Sequence, residues 1–271
     1  MNKITCRIGD QNQIITESFS GSGKVIAVDY LNDEKQKGAL ITYEIENYGV
    51  ANEFYTPDGM ITASQLAERQ IQSGMPKEYV YKRGNDFNWS YYKSNTDQQK
   101  KLVNAFVYNF QNFKKEGRGL YIYSATKGSG KTMLSCCIAN EILKKENISL
   151  KFVNVPDYIE LIKDKSEISR EQVQRIHDAG LLILDDVGAQ VEDKAWITTA
   201  LFRLIDSRYT GLRPTIFTSN VRMEDLKTDG RISDRIYATS FPVIMPEENI
   251  RRKIADKHKA AFLESFMEFK N

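Results

Sequence analysis

Cysteine and histidine are scarce in this chain of 271 residues, and each scarcity excludes something. Three cysteines, Cys6, Cys136 and Cys137, two of them adjacent and none in a C-x-x-C, make no disulfide framework. Two histidines, His177 and His258, are too few and too scattered for a zinc site. No apolar run approaches the roughly 20 residues that span a bilayer. The opening MNKITCRIGDQNQ has no apolar stretch of the kind a signal peptide carries. An excess of either charge is missing too: 38 Lys and Arg against 36 Asp and Glu leave a formal net charge of +2. Whole-chain charge therefore does not announce a nucleic-acid or membrane binder, although a local basic surface stays open. Hydrophobic residues at 41% and charged residues at 27% are the proportions of a globular chain, not a disordered one. The expectation is a soluble protein of a reducing cytoplasm.

Residues 1 to about 60 read as short strands and turns. ITCRI, QIITESF, KVIAVDY and ALITYEIE are rich in β-branched and aromatic residues, and GDQN, SGSG, NDEKQKG and PDG separate them. Thr62 with Gln65 fits a capping box for a short helix to Gln72, stopped by Gly74 and Pro76. Residues 1–75 are thus expected to form a small β-rich N-terminal domain. The irregular, aromatic stretch 76–95 is read as a linker. Thr96 with Gln99 forms a second capping box, and Leu102, Val103, Phe106, Phe110 and Phe113 follow at helical spacing until Gly117.

Strand and helix then alternate. GLYIYS (119–124), LKFVNV (150–155), LLILDD (181–186), TIFTSN (215–220) and FPVIM (241–245) read as strands. Helices are expected over Lys131–Glu146, through the mixed stretch up to His177, over Trp196–Tyr209, and from about Glu247 onward. Near-continuous apolar strands alternating with helices predict an α/β domain over 96–271, a parallel sheet covered by helices on both faces.

The strand GLYIYS runs into SATKGSGKT and then a helix. A Gly-rich loop between a strand and a helix N-terminus turns successive backbone N–H groups toward an anion, and the helix dipole adds to that field. Thr126, Lys127, Gly128, Ser129, Gly130, Lys131, Thr132 and Met133 would form such a phosphate cup. Lys131 would reach terminal phosphates, and the Thr132 hydroxyl would serve Mg²⁺. The strict pattern G-x-x-x-x-G-K-[ST] has its first glycine replaced by Ala125, which excludes some positive-φ turns. A plain surface turn is the competing reading. Gly21, Ser22, Gly23 and Lys24 spell the same letters, lead into a strand and read as a hairpin turn.

LLILDD sets Asp185 and Asp186 at the carboxyl end of a buried strand, the edge where open α/β sheets bind ligands. Asp185 would hold the metal, and Asp186 would orient or deprotonate an attacking water. The bland reading is a pair of solvated turn acids. At the end of TIFTSN, Asn220 offers a neutral amide to a γ-phosphate or that water. In GRISDRI, Arg231 and Arg235 stand four apart on one helical face, where an arginine can meet transition-state charge. The alternative is an intrahelical pair with Asp234 or Asp229. Arg251 and Arg252 open the last helix, on what could equally be a solvated face.

Taken together, residues 96 to 260 resemble the AAA+ ATPases of the DnaC/IstB type, the branch that includes helicase loaders. GxGKT at 128–132, LLILDDVGAQ at 181–190, TIFTSN at 215–220 and RISDRI at 231–236 carry the resemblance. It implies an AAA+ P-loop ATPase domain with ATP and Mg²⁺ as cofactors. Lys131 would bind phosphate, and Thr132 and Asp185 would serve the metal. Asp186 stands where many such proteins have Glu, so hydrolysis is expected to be slow. Asn220 matches sensor 1, and Arg235 matches the arginine finger that acts on a neighbouring subunit. Arg251 is similar to the sensor 2 arginine, with Arg252 its rival. Members escort a replicative helicase onto single-stranded DNA or regulate a transposase, and their N-terminal domain normally carries the partner contact. Some relatives bind zinc there, and this chain lacks the ligands.

The stretch 156–177 reads as two short helices, on which Lys163, Lys165, Arg170 and Arg175 could meet the phosphates of single-stranded DNA. Glu160, Asp164, Glu167 and Glu171 dilute that charge and make a solvated face at least as good a reading. Tyr79, Tyr81, Phe87, Trp89, Tyr91 and Tyr92 are read mainly as packing the linker onto the ATPase core. Cys136 and Cys137 read as small buried residues. The expectation is an oligomeric helicase loader, against a transposition-regulator ATPase of the same family and a P-loop small-molecule kinase.

Overall fold

Segments too apolar to alternate become the interior strands of a parallel sheet. The computed structural model describes residues 2–8, 13–19, 23–32, 37–45, 49–55, 63–188, 195–226 and 229–267. The chain divides into two units, residues 1–68 with 144–147, and residues 69–143 with 148–271.

In the first unit, β1 (Asn2–Ile8) pairs antiparallel with β2 (Gln13–Phe19). A separate antiparallel sheet holds β3 (Gly23–Asn32), β4 (Lys37–Ile45) and β5 (Gly49–Tyr55). Four strands match the runs expected. β5 adds a fifth, because Gly49, Ala51, Asn52 and Glu53 dilute its β-forming residues below recognition. Gly21 and Ser22 of the expected hairpin turn lie outside the described residues. Among the described residues β2 and β3 do not pair, so the hairpin is replaced by two separate sheets. The helix α1 spans Ala63–Gln72, and its expected cap Thr62 lies outside the described residues.

In the second unit, the expected long helix is two: α2 (Asp97–Tyr108) and α3 (Phe110–Lys115). The joint is Asn109, whose side-chain amide bonds the Ala105 carbonyl at 3.0 Å, a local alternative to the helix ladder. The capping box at Thr96 does not form. Thr96 makes no side-chain cap bond, and Gln99 Nε2 donates instead to the Ile244 carbonyl at 2.6 Å. Gly117, at φ +62°, ends α3 as expected.

The sheet comprises β6 (Gly119–Tyr123), β7 (Leu150–Asn154), β8 (Leu181–Val187), β9 (Thr215–Ser219) and β10 (Ser240–Ile244), in the order β10-β6-β9-β8-β7, all parallel. Every residue of β6 and β9 is buried, as both faces of a covered sheet require. Between the strands run α4 (Lys131–Lys145), α5 (Val155–Lys163), α6 (Glu167–Asp178), α7 (Ala195–Thr210) and α8 (Gly230–Thr239), and α9 (Ile250–Met267) closes the chain. Of the helix α4, Leu134, Cys136, Cys137, Ile138, Ala139, Ile142 and Leu143 are buried, so it is interior on most sides. Both cysteine thiols titrate high because of burial, Cys137 at about 12. Asn154 and Ser166 cap α5 and α6 through bonds of 2.7 and 3.2 Å. The mixed helical stretch is two capped helices, as read for 156–177. This order brings the C-terminal ends of β6, β9 and β8 side by side. Among the described residues no helix is long and apolar enough to cross a membrane.

Candidate nucleotide site

The loop after β6 curls through Gly128 and Gly130, whose φ values of +76° and +93° only glycine holds without strain. At Gly130 a Cβ would also stand 2.9 Å from the Tyr92 hydroxyl oxygen. Ala125 is not among the positive-φ residues, so its methyl fits the loop start. Its N–H donates to Glu247 Oε1 at 2.8 Å, and the Thr126 N–H donates to Glu247 Oε2 at 2.6 Å. Burial pushes the Glu247 carboxyl up, but the bonds from Thr126, Ala125 and Ser124 outweigh it and hold it below the usual range.

Lys131 opens α4 and is buried. Its Nζ donates to Asn220 Oδ1 at 2.8 Å, Ser124 O at 3.1 Å, Thr126 O at 3.2 Å and Ser129 Oγ at 3.3 Å. All four are neutral oxygens. Burial pulls the Lys131 ammonium below its ordinary value, against the upward pull of Asp186, Glu247 and Asp185. The positive charge is held dry without a bonded counter-charge, the condition in which an incoming polyanion is attracted most strongly.

The acids at the end of β8 occupy different surroundings. The β8–β9 register jumps between Leu184 and Val187, a bulge centred on Asp185 and Asp186. Asp185 is 8% exposed and accepts from Thr132 Oγ1 at 3.0 Å and from Thr218 Oγ1 at 2.5 Å. Burial raises its carboxyl, while the Thr218 and Thr132 hydroxyls pull it back. Asp186 is exposed at φ +60° and accepts from Asn220 Nδ2 at 3.3 Å. Asn220 thereby joins Lys131 to Asp186.

A cavity of about 890 Å³ opens beside the loop, within the range of small-molecule sites. Lys127, Gly128, Ser129, Gly130, Lys131, Thr132 and Met133 line it with Asp186, Asn220 and Arg251. Asp185 lies behind this wall, and Thr126 turns its amide to Glu247. The aromatic stretch 79–92 forms the other wall. Phe87 meets Trp89 edge-on at 4.7 Å and stacks against Tyr92 at 6.2 Å, and the Tyr92 hydroxyl donates to the Ser129 carbonyl at 2.6 Å. Burial, then Glu248, raises the Tyr92 phenol above its ordinary value.

Two sets of expected residues stand apart from the cavity. Arg235 donates to Asp206 at 2.6 Å and lies over Phe202 and Tyr209, while Arg231 pairs with Asp229 at 2.6 Å. Arg252 is exposed at the start of α9, outside the cavity wall. Lys163 pairs with Glu160 at 2.5 Å and Arg175 with Glu171 at 3.4 Å, and Lys165 and Arg170 are exposed nearby. Sequence reasoning missed Thr218 and Glu247. A hydroxyl two residues before Asn220 was a usable signal; a glutamate in the β10–α9 connection gave none.

The donor set suits a metal shared with phosphate. A threonine hydroxyl touching one carboxylate supplies hard oxygens, and among the described residues no group of three His, Cys, Asp or Glu side chains is placed to cage an ion alone.

Residues 68–241 match the model of a family described as IstB-like ATP binding protein. The replicative helicase loader DnaI of Bacillus subtilis (strain 168) is 28% identical over 153 residues, 50% of this chain and 48% of that one. The replicative helicase loader DnaC of Escherichia coli (strain K12) is 31% identical over 144 residues, 51% of this chain and 58% of that one. The chain thus spans about half the length of these relatives. The crystal structure of DnaI superposes with a TM-score of 0.55 at 27% identity, covering 67% of this chain and 98% of that one. The fold is that of an AAA+ P-loop ATPase.

Proposed function

The chain belongs to the IstB-like ATP binding protein family, and from that premise we propose that it is a magnesium-dependent ATPase that loads a replicative helicase. One observation carries the ATPase part: Lys131, Asn220 and Asp186 form a continuous hydrogen-bonded line along the mouth of a P-loop, with Thr132 bonded to Asp185 beside it. In this reading the amides of 128–132 and Lys131 grip the β- and γ-phosphates. Thr132 and Asp185 hold Mg²⁺, which when bound neutralises developing charge on the phosphoryl oxygens. Asp186 takes the proton of the attacking water, and Asn220 holds that carboxylate in line. Arg251, on the cavity wall, meets the triphosphate from the α9 side. Arg235 acts on ATP bound by a second copy.

The loader part rests on the likeness to DnaI and DnaC. Single-stranded DNA and self-association belong to the same reading, as does a cytoplasmic location. A second reading, drawn from the resemblance to the IstB type, is a regulator of a transposase.

ATP binding and phosphate release are measured with wild type and Lys131→Ala, with and without single-stranded DNA. Loss of ATP affinity by at least about tenfold in Lys131→Ala is expected; equal affinity for the two proteins refutes the site. Co-purification with the replicative helicase supports the loader, and capture of a transposase instead supports the regulator.

A further inference from the structure

We propose that Thr218 is the positioning residue of this site: its hydroxyl locks the β8 bulge that turns Asp185 onto Thr132 and Asp186 into the cavity. The inference rests on the ATPase reading above and adds to it a residue that touches neither nucleotide nor metal. Its basis is the bulge. Leu184 is paired with Phe217 and Val187 with Ser219, so two residues of β8 face the single residue Thr218 of β9. A bulge of this kind costs the ladder a bond, and here the Asp186 N–H is the donor left over. The Thr218 hydroxyl takes its place, accepting from the Asp186 N–H at 3.0 Å. The same oxygen donates its only proton to Asp185 Oδ1 at 2.5 Å. One hydroxyl thus fixes the backbone of one acid and the side chain of the other, and each bond orients the hydroxyl for its partner.

Thr218 is fully buried, so water cannot replace it. Side chains alternate faces along a strand, and relaxation to regular pairing at 185–186 would throw the acids onto opposite faces. Asp186 at φ +60° needs such an external hold, because the left-handed region is sparsely populated by non-glycine residues. The Thr132 hydroxyl can leave Asp185 for a metal without freeing the carboxylate, because Thr218 keeps its own, shorter bond to Asp185 Oδ1.

The test uses the full chain and a fluorescent ATP analogue, titrated in Mg²⁺ and in EDTA. Wild type, Thr218→Val, Thr218→Ser and Lys131→Ala are compared, with thermal melts for each. Thr218→Val is expected to match wild type in EDTA and to bind at least about tenfold more weakly in Mg²⁺, the usual cost of a lost bond to a charged group. Thr218→Ser is expected to follow wild type within about threefold in both media, since it keeps the hydroxyl. Should Thr218→Val fail to fold, Thr218→Ala replaces it and is read in the same way. Equal weakening with and without Mg²⁺ would mean a general packing role and overturn the proposal. So would wild-type magnesium dependence in the valine protein, or a serine protein that behaves like valine. Lys131→Ala separates the two levels of argument: if it binds the analogue as wild type does in both media, the ATPase reading itself fails.

Discussion

Asp186 and Lys131 meet through one side chain, and the chemistry assigned to each depends on what surrounds it. The ammonium of Lys131 has only neutral oxygens for partners, so an arriving triphosphate exchanges no salt bridge for a new one. Asp186 is exposed, at φ +60°. Asparagine tolerates that backbone better than most residues and keeps an acceptor for Asn220, so Asp186→Asn removes the charge and little else. That variant is expected to bind ATP within about threefold of wild type and to release phosphate about a hundredfold more slowly, the low end of what a general base contributes. Equilibrium binding beside single-turnover phosphate release makes the comparison. Undiminished turnover would remove Asp186 from the role of base. Alanine is the poorer probe here, since it would add a strained backbone to the lost carboxylate.

At the scale of elements, the C-terminus of α6 is held by side chains of its neighbours. Arg208, 2% exposed on α7, donates to the carbonyls of Ile176, His177, Ala179 and Pro214 and to Thr215 Oγ1. His177 completes the joint, its ring nitrogens 3.0 Å from the Tyr158 hydroxyl and 2.9 Å from Ser207 Oγ. Ser207 donates its own proton to the Leu204 carbonyl, so the neutral ring carries hydrogen on Nδ1 and accepts from Tyr158. Burial, then Arg208 and Arg213, holds the His177 imidazole below its ordinary value against the pull of Asp178. Between that depressed pKa and the unfolded value near 6.5, the unfolded chain binds the extra proton. The contribution of this joint is therefore complete above pH 6.5 and is lost as pH falls below it. Urea melts of wild type and His177→Gln at pH 7.5 and 5.5 should show the larger acid loss in wild type; parallel losses would contradict the lowered pKa of His177. The two short helices of 156–177 were legible in the sequence, but the joint was not, because nothing in the pattern ties Arg208 to the end of α6. The P-loop strand, its helix and the two apolar strands were legible because their signals are local: a run of β-formers, a glycine turn, a helix start. Two features depend on partners distant in sequence, the bulge in β8 and Glu247 seated on the loop amides, while the break at Asn109 is local but leaves the apolar spacing unchanged. Chain periodicity carries no trace of them.

For the molecule as a whole, the position of Arg235 decides whether the site is complete in one copy. Among the cavity's lining residues Arg251 is the arginine; Arg235 lies on α8, bonded to Asp206 of α7 and stacked on Phe202. That arrangement presets the guanidinium on a rigid face without offering it to the chain's own nucleotide. An arginine supplied across subunits is worth on the order of a thousandfold or more in phosphoryl transfer. Arg235→Ala is accordingly expected to bind ATP as wild type does and to lose most of its turnover. Its melting temperature serves as a control, because Arg235 and Asp206 are both partly buried and their pairing adds modestly to stability. Mixing gives the sharper result. Arg235→Ala keeps an intact P-loop but lacks the arginine, while Lys131→Ala keeps the arginine but lacks the grip on phosphate. If one copy completes the site of the next, the two inactive proteins together recover a fraction of wild-type turnover that rises with total concentration. If Arg235 works within its own chain, or only braces α7, no mixture recovers anything, and the assembly-dependent part of the proposed function falls while the nucleotide site at Lys131 stands.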